Sequence, residues 1–374
     1  MLIPAIVWQV VFYSFCAVTA IQVFYYLFFF VRLAFYKEKK RTSIIQQPVS
    51  VVICAKNEAA NITKNLPGVL FQDYKTTHEI IVVNDNSDDE SRYVIDEYKK
   101  DFKNLTVIEL GQDAKLINGK KFPLSMGILS SKYETLLLTD ADCVPATEHW
   151  INKMQNAYSE GVEIVFGYGA YIKYDGLLNK LIRFETFHTA LQYFSYSLAG
   201  VAYMGVGRNL SYKKDVFKRN KGFSAINHLP SGDDDLFINK VATKINTAIV
   251  FDADAHTLSE PKKTFSEWVK QKNRHYTTAK YYKPIHKFLL GLYNISFFFF
   301  YPLFIASLVF FNWWMALSVF GVRFFIQAVI YAKTMKKLNE KDLVAWFWLL
   351  DIWMFLYQIF FIPALFKRPK QTWN

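Results

Sequence analysis

Four long apolar runs bracket a more polar middle, and they constrain the fold of this chain more than any other feature. Residues 2–31 carry no charged side chain. Three further runs follow towards the other end, at residues 288–311, 313–332 and 343–366. About 20 apolar residues suffice for a helix to cross the hydrocarbon core of a bilayer. The sequence therefore predicts an N-terminal transmembrane helix over residues 1–31 and a C-terminal transmembrane region, of about three apolar segments, over residues 286–366.

The first run is predicted to be an uncleaved anchor. A cleaved signal peptide is the alternative, but the run lacks a basic leading region and is too long for the apolar core of such a peptide. Basic residues between Arg32 and Arg41 follow it. Because Lys and Arg are enriched on the cytoplasmic side of membrane helices, the segment after the anchor is predicted to be cytoplasmic.

Two ionisable residues interrupt the later runs. Arg323 lies in the third run and Asp351 in the fourth, and each needs a partner inside a membrane. Our hypothesis is that they pair with each other. The basic loop at residues 333–341 is predicted to be cytoplasmic, so four complete crossings would place the basic residues 367–370 outside, against the charge rule. Either that tail is an exception or one run is re-entrant.

Composition supports a membrane protein rather than a nucleic-acid-binding one. The formal net charge of +12 would fit a nucleic-acid partner, but 18% of the residues are aromatic and no RNA- or DNA-binding motif accompanies the charge. We therefore expect a membrane partner and no nucleic acid. The three cysteines form neither a disulfide framework nor a zinc spacing, which fits a reducing compartment.

Between residues 48 and 166, short β-branched runs alternate with helical stretches. Strands are predicted at residues 49–54, 79–84, 105–110, 133–139 and 162–166, and helices at residues 58–71, 89–98 and 122–131. This alternation predicts an α/β fold with a largely parallel sheet covered on both faces. Ligands of such sheets bind at the carboxyl ends of the strands.

Polar residues follow three of the predicted strands at that edge. The first strand leads into Ala55-Lys56-Asn57-Glu58, the second into Asn84-Asp85-Asn86-Ser87, and the fourth into Asp140-Ala141-Asp142. Each alone is most simply a helix cap or turn. Together they indicate a rim around a nucleotide, where carboxylate oxygens suit Mg²⁺ or Mn²⁺ holding a diphosphate. Asn118-Gly119-Lys120-Lys121 either offers backbone N–H groups and a lysine to phosphate or is a solvated basic turn.

These residues resemble the membrane-bound family 2 glycosyltransferases, the group that includes cellulose, chitin and hyaluronan synthases and ceramide glucosyltransferase. The resemblance covers residues 48–282. It implies a cytoplasmic GT-A (nucleotide-diphospho-sugar transferase) domain of Rossmann-like α/β architecture with interfacial helices, joined to transmembrane helices. Asn84-Asp85-Asn86-Ser87 is similar to the family's Asp-Asp-Gly-Ser turn, with Asn84 replacing its first acid, and Asp140-Ala141-Asp142 is similar to the Asp-x-Asp motif.

Two later motifs make the resemblance specific. Ser231-Gly232-Asp233-Asp234-Asp235 resembles the Gly-Asp-Asp or Thr-Glu-Asp site, whose second acid is the family's catalytic base. Gln271-Lys272-Asn273-Arg274-His275 resembles the Gln-x-x-Arg-Trp motif, with His275 in place of the tryptophan that lines the acceptor entrance. Residues 205–211 resemble the acceptor-lining loop.

The resemblance implies a role for each matching residue. Asp234 would be the general base, with Asp233 beside it, and Asp142 the ligand of Mg²⁺ or Mn²⁺. Nucleotide-sugar binding would fall to Ala55, Glu58, Asp85, Lys120, Asp140, Gln271 and Arg274. The acceptor would be lined by Gly207, Asn209 and His275.

Electrostatics add an expectation about the three consecutive acids. They cannot all ionise comfortably in a partly buried cleft, so at least one pKa should be raised. Two of them could instead cap the helix that follows, a role we assign to Asp233 or Asp235. Residues 177–200 are predicted to form a helix lying at the membrane surface, with an ordinary core helix as the alternative.

The function predicted is an inverting, metal-dependent membrane glycosyltransferase. It would move a sugar from a nucleotide sugar, by resemblance a UDP-sugar, to a lipidic or lipid-linked acceptor at the cytoplasmic leaflet. We expect a multi-pass protein of a bacterial inner membrane that serves cell-envelope polysaccharide or glycolipid biosynthesis. One alternative is a processive polysaccharide synthase, which His275 and the small number of crossings disfavour. Another is a non-catalytic membrane scaffold that binds nucleotide sugar.

Overall fold

The computed structural model describes residues 5–37, 46–111 and 119–363. Its centre is a seven-stranded sheet in the order β3-β2-β1-β4-β8-β6-β9, and a second sheet has the order β5-β10-β7. The strands are β1 (Val49–Ala55), β2 (His78–Asn84), β3 (Leu105–Glu109), β4 (Thr135–Asp140), β5 (Cys143–Pro145), β6 (Ile164–Phe166), β7 (Gly169–Tyr171), β8 (Leu210–Lys213), β9 (Thr247–Ile249) and β10 (Thr257–Ser259). The five predicted strands are present.

The large sheet is largely parallel, as predicted, with β8 as its one antiparallel strand. Strands β3, β2, β1 and β4 run parallel, whereas β8 is antiparallel to both β4 and β6. Sequence patterning missed β8 because its four residues are too short for a recognisable alternation. The central strand β1 is buried along its whole length, as its run of Val and Ile predicts for a strand covered on both faces.

Helices cover both faces of this sheet, as predicted. Helices α3 (Ala59–Leu70), α4 (Ser91–Asp101) and α6 (Trp150–Gln155) enclose one core. On the other face lie α5 (Lys121–Ser130) and α7 (Leu177–Leu198), with α8 (Lys214–Arg219), α9 (Asp235–Val241) and α10 (Phe265–Tyr276) towards the end of the domain.

Helix α7 corrects the prediction of a helix lying exposed at the membrane surface. Most of its residues are buried, including Arg183, Glu185 and His188. It packs against the sheet on one side, and on the other its Tyr196 stacks on Phe29 at the end of the first membrane helix. It is therefore a core helix between the sheet and the membrane helices, and its Arg183 and Glu185 form ion pairs with Glu340 and Lys272.

Four helical segments in the described residues are long and apolar enough to cross a membrane. The first comprises α1 (Ala5–Tyr25), a π-helical segment (Tyr26–Phe30) and α2 (Val31–Ala34). The others are α11 (Pro284–Phe310), α12 (Trp313–Lys337), and a 3-10 segment (Lys341–Trp346) that continues into α13 (Phe347–Phe361). These positions agree with the four predicted runs.

The predicted pairing of the two ionisable membrane residues is confirmed. Arg323 Nη1 lies 2.7 Å from Asp351 Oδ2, and both side chains are buried. Gln327 Nε2 donates to the other carboxylate oxygen at 2.7 Å, and Gln22 Oε1 accepts from Arg323 Nε at 3.0 Å. The pair therefore links α12 to α13 and to α1.

Candidate active site

The sheet register brings the predicted strand ends to one edge. Cys54 lies opposite Asp140 on β4, and Ala55 lies opposite Asn84 on β2. The Asp85 backbone N–H donates to the Ala55 carbonyl at 2.8 Å. Asp85 is 8% exposed and Glu58 is half-buried. These polar groups therefore lie at the sheet edge and are largely shielded from bulk solvent.

Asn84, which stands where the family carries an acid, has a structural role. Its Nδ2 donates to Glu109 Oε2 at 2.8 Å, and its Oδ1 accepts from the Ser87 backbone N–H at 3.3 Å. An aspartate could not donate to Glu109 and would place a second negative charge beside it. The replacement therefore stabilises the turn that holds Asp85.

The basic segment before α5 is not a solvated turn. Lys120 forms an ion pair with Asp140, and buried Lys121 donates to the Leu229 and Ser231 carbonyls. Asn118 lies outside the described residues.

Gly119 permits a close approach of this segment to the loop that precedes the three acids. It has φ of 86°, and a Cβ there would lie 2.2 Å from the Pro230 carbonyl oxygen. The segment and the Lys121 contacts thus hold the loop at residues 229–232 against the sheet edge.

Asp140, Asp142 and Cys143 offer three ligand atoms within 4.8 Å of one another. Burial raises the pKa of Asp140, but the charges of Lys120, Arg208 and Arg274 outweigh it, so that pKa lies below its ordinary value. Loss of hydration beside the surrounding protein, together with the charge of Asp140, raises the pKa of Asp142. Burial and the charges of Asp142 and Asp140 also raise the pKa of Glu58, which is therefore part of the same acidic group.

Asp234 lies at the start of α9, and each of its carboxylate oxygens accepts a backbone hydrogen bond. Oδ1 accepts from the Asp235 N–H at 2.7 Å, and Oδ2 accepts from the Gly207 N–H at 2.9 Å. Burial and the flanking charges of Asp233 and Asp235 raise the pKa of Asp234 to about 8, although the two N–H groups act in the opposite direction. The expectation of a raised pKa among the three acids is thus confirmed. Two of the three acids cap α9: Asp235, as predicted, accepts from the Leu236 N–H, and the second is Asp234 rather than Asp233.

Asp235 is fixed inside the protein. Thr278 Oγ1 and Tyr282 OH both donate to its Oδ2, the latter at 2.8 Å, and the Leu236 N–H donates to Oδ1. Asp235 therefore anchors the start of α9 to the segment between α10 and α11. The charge of Asp233, together with that of Asp140, raises the pKa of Lys120 against the effect of burial.

Arg208 joins the two acidic groups and was not assigned a role from the sequence. It follows Gly207 in a 3-10 turn (Gly207–Asn209), and its carbonyl accepts from Thr139 Oγ1 at 3.0 Å, one residue before Asp140. Its guanidinium lies 4.4 Å from the centre of the Tyr171 ring, and it donates through Nη1 to Ser259 Oγ at 3.1 Å and through Nη2 to the Gly169 carbonyl at 2.5 Å. Its Nε is buried without a partner among the described residues. The only signal in the sequence is an arginine inside a glycine-rich turn.

Asn209 does not line an acceptor path, which corrects that prediction. Its side chain is fully buried, donates to the Tyr168 and Ala255 carbonyls, and accepts from Trp150 Nε1. With its hydrogen-bonding groups used internally, it stabilises the turn that carries Gly207 and Arg208.

Helix α10 brings the last predicted motif to this edge. Gln271 Nε2 lies 3.5 Å from the Tyr171 hydroxyl, and Tyr171 stacks on Arg208. Arg274 is exposed, and its charge is among those that lower the pKa of Asp140. His275 belongs to α10, but its side chain lies outside the described residues.

The chain matches known glycosyltransferases. A family model described as glycosyl transferase family 2 matches residues 50–220. Glycosyltransferase AglE of Haloferax volcanii is 30% identical over 230 residues, which cover 60% of this chain and 71% of AglE. The probable glycosyltransferase YdaM of Bacillus subtilis is 25% identical over 87% of this chain and 76% of YdaM. Poly-β-1,6-N-acetyl-D-glucosamine synthase of Staphylococcus epidermidis is 34% identical over 26% of this chain and 22% of that protein.

Among solved structures, the mannosyltransferase PcManGT from Pyrobaculum calidifontis, in complex with GDP-Man and Mn²⁺, is similar with a TM-score of 0.57 and 16% identity. The similarity covers 94% of this chain and 99% of PcManGT. At this identity the likeness supports the fold alone, a mixed α/β sheet of the GT-A type with membrane helices. The family-model match and the 30% identity to AglE establish that the chain belongs to glycosyltransferase family 2 and is a glycosyltransferase.

Proposed function

We propose that the protein transfers a sugar, with inversion, from a nucleotide sugar to a hydroxyl of a lipidic or lipid-linked acceptor at the cytoplasmic leaflet. The observation that carries this proposal is the connection between Asp234 and the Asp140-Ala141-Asp142 strand end. The Gly207 N–H donates to Asp234, and the carbonyl of the adjoining Arg208 accepts from Thr139, the residue before Asp140. A base and a diphosphate site are thereby joined through two consecutive residues.

Asp234 is suited to accept the proton of the attacking hydroxyl. A general base is most effective when its pKa lies near the working pH, and this pKa is raised to about 8. The Gly207 and Asp235 N–H groups fix the orientation of the carboxylate. Direct attack by the activated hydroxyl displaces the diphosphate in one step and inverts the anomeric carbon.

The residues at the strand end fit a divalent cation. Asp142 would hold it, with Asp140 adjacent, because their hard carboxylate oxygens suit Mg²⁺ or Mn²⁺. When bound, such an ion supplies Lewis-acid stabilisation of the charge that develops on the leaving diphosphate. The PcManGT complex with GDP-Man and Mn²⁺ supports this assignment.

Basic side chains would stabilise the diphosphate from the opposite side. Arg208 and Arg274 both lower the pKa of Asp140, so their positive charges act at the strand end, and Lys120 is paired with Asp140 itself. Arginine suits phosphate because its planar fork donates two parallel hydrogen bonds, a role proposed for the exposed Arg274. The terminal nitrogens of Arg208 already donate to Ser259 and Gly169, so Arg208 would act through its charge. Ala55, Glu58, Asp85 and Gln271 would complete the nucleotide-sugar site, with a UDP-sugar as the proposed donor.

Proximity of the site to the membrane helices supports a lipid acceptor. Trp268 of α10 is fully buried against Trp353 and Tyr357 of α13, one turn from Gln271. A hydroxyl presented from the lipid surface would therefore reach the same helix that carries Arg274. We propose that Gly207 and His275 border the acceptor path.

A processive polysaccharide synthase is the second candidate, favoured by the match to the Staphylococcus epidermidis synthase over 98 residues. Purified protein would be incubated with a panel of nucleotide sugars and a lipid extract, and the products weighed by mass spectrometry. Addition of one sugar to a lipid supports the first function, and a ladder of long chains supports the second. Absence of any sugar transfer, with nucleotide sugar still bound, would favour the non-catalytic scaffold.

A further inference from the structure

Helix α13 is short for a membrane crossing. It contains 15 residues, which at 1.5 Å per residue extend about 22 Å, less than the hydrocarbon thickness of about 30 Å. The preceding 3-10 segment (Lys341–Trp346) begins at the catalytic domain, where its Asp342 accepts from Arg183. Length and composition qualify the run Lys341–Phe361 as a candidate spanning helix, but its contacts describe a different path.

The start of the run is attached to the catalytic domain. Arg183 of α7 donates through Nε to Glu340 Oε2 at 3.0 Å and through Nη2 to Asp342 Oδ1 at 2.7 Å. Tyr168, which follows β6, lies 3.2 Å from Glu340 Oε1, and Glu340 is 1% exposed. A buried ion pair of this kind fixes the point at which the chain leaves the domain.

From Asp351 onwards, α13 runs antiparallel to α11. Asp351 accepts from Tyr301 at 2.6 Å, and Gln358 donates to Asn294 at 2.7 Å. Between them, the rings of Phe355 and Phe298 lie 6.1 Å apart. Successive residues along α13 therefore contact positions on α11 that lie closer and closer to Pro284. Pro284 is the end of α11 that is joined to the catalytic domain.

The last turn of α13 returns to the catalytic domain. Phe361 lies 5.6 Å from Tyr276 and 6.1 Å from Trp268, both on α10. Phe360 lies 6.1 Å from Phe265 at the start of the same helix. The two ends of the run thus contact α7 and α10, two helices of one domain.

The opposite end of the membrane bundle is built from three helices in the described ranges. The rings of Trp8 and Phe310 stack at 4.3 Å, and those of Phe12 and Phe311 at 4.8 Å. Phe304 stacks on Phe320 at 4.5 Å. The cluster around these aromatic rings takes its members from α1, α11 and α12.

We propose that α13 is a re-entrant helix, which enters and leaves the membrane on the side of the catalytic domain and packs its last turns against α10. The chain then crosses the membrane three times, by α1, α11 and α12. Non-spanning helices at membrane depth are tolerated where they are packed against protein, and the Arg323–Asp351 pair meets this condition by satisfying a buried charge on α13. The basic residues 367–370 would then lie on the catalytic side, in agreement with the charge rule.

Labelling of introduced cysteines tests the topology without requiring activity. The background protein carries Cys16→Ser and keeps the buried Cys54 and Cys143. Its labelling without any introduced cysteine gives the background signal. Trp313→Cys reports the turn between α11 and α12, Lys99→Cys reports the catalytic domain, and Gln371→Cys reports the tail. In intact cells, a membrane-impermeant maleimide should label one of the two reporters, Trp313→Cys or Lys99→Cys, and not the other. The extent of labelling of Gln371→Cys should match that of Lys99→Cys. A tail that labels together with Trp313→Cys would overturn the proposal.

Disulfide cross-linking tests the path of α13 independently. The exposed pair Phe265→Cys and Phe360→Cys should cross-link under mild oxidation. Phe311→Cys and Phe360→Cys, which a spanning helix would bring together at the far side, should remain separate. The reverse pattern would overturn the proposal. Because both assays use folded membrane protein without substrate, their failure would leave the proposed glycosyl transfer unaffected.

Discussion

The Gly207 backbone N–H donates to Asp234 Oδ2 at 2.9 Å, so the loop beside the strand-end acids holds the carboxylate of the proposed base. A Cβ at Gly207 would lie 3.4 Å from that oxygen, an ordinary contact with little room to spare. The next residue, Arg208, carries the connection to Asp140 and Asp142. Two acidic groups that lie about 90 residues apart in the sequence are therefore positioned by one turn.

Asp234→Asn should abolish most of the transfer while leaving nucleotide binding intact. The amide keeps the size of the carboxylate but cannot accept a proton, and loss of a general base typically costs about 10²- to 10⁴-fold in rate. Turnover and donor affinity would be measured together. Asp215→Asn, at an exposed position on α8, is the matched control and should retain full activity. Unchanged turnover in the Asp234 variant would refute the assigned base.

The pH dependence of transfer should show an ascending limb near pH 8. The pKa of Asp234 in the folded protein is raised to about 8, so the carboxylate is protonated and inactive as a base below that pH. Turnover divided by KM, measured from pH 6 to 9, should rise through this pKa as the proton is lost. A profile that is already flat at pH 6 would contradict the prediction.

Removal of the metal ligand should affect the donor rather than the fold. Asp142→Ala should weaken Mn²⁺-supported nucleotide binding by at least about tenfold, because Asp142 is the residue proposed to hold the ion. Titration calorimetry with nucleoside diphosphate, with Mn²⁺ or with EDTA, measures this effect. Asp88→Ala removes an exposed acid from the neighbouring turn and should bind normally. Normal Mn²⁺-dependent affinity in the Asp142 variant would count against its role.

Gly119→Ala should destabilise the site more than a matched glycine change elsewhere. Gly119 and Gly161 both have positive φ, 86° and 79°, so alanine at either costs about 1–2 kcal/mol. Only at Gly119 would the Cβ also meet the Pro230 carbonyl, at 2.2 Å. Thermal unfolding and turnover should therefore be affected more in Gly119→Ala than in Gly161→Ala. Equal effects would show that the contact with the loop at residues 229–232 is unimportant.

The membrane ion pair should behave as a coupled unit. Arg323→Met alone leaves Asp351 charged and unpaired, which costs about 3–5 kcal/mol for a buried pair. Adding Asp351→Leu should recover much of that loss in unfolding experiments in detergent. The exposed pair of Arg219 and Glu163, with a contact of 2.6 Å, is the control, and its disruption should cost at most about 1 kcal/mol. A double variant as unstable as the sum of its single changes would contradict the coupling.

Sequence reasoning predicted the elements that depend on local patterning. The apolar runs, the buried strands β1, β2 and β4, and the acids at strand ends follow from hydrophobic period and from the position of polar residues after strands. The partners Arg323 and Asp351 were predictable because an unpaired charge in lipid is costly.

Features that depend on tertiary packing could not be predicted in this way. Helix α7 carries Arg183 and Glu185, which made it resemble a surface helix, but these residues pair with Glu340 and Lys272 from distant segments. Asn209 belongs to a motif that resembles an acceptor-lining loop, yet its side chain is buried and donates to two backbone carbonyls. Arg208 joins the acidic groups only because β8 returns antiparallel beside β4.

The most direct test is a cryo-EM structure of the full chain with Mn²⁺ and a non-hydrolysable nucleotide sugar. We expect the ion at Asp142, the diphosphate beside Arg208 and Arg274, and the anomeric carbon facing Asp234 within the same cavity. A nucleotide bound away from the strand ends, or Asp142 and Asp234 opening onto different cavities, would contradict the proposed mechanism.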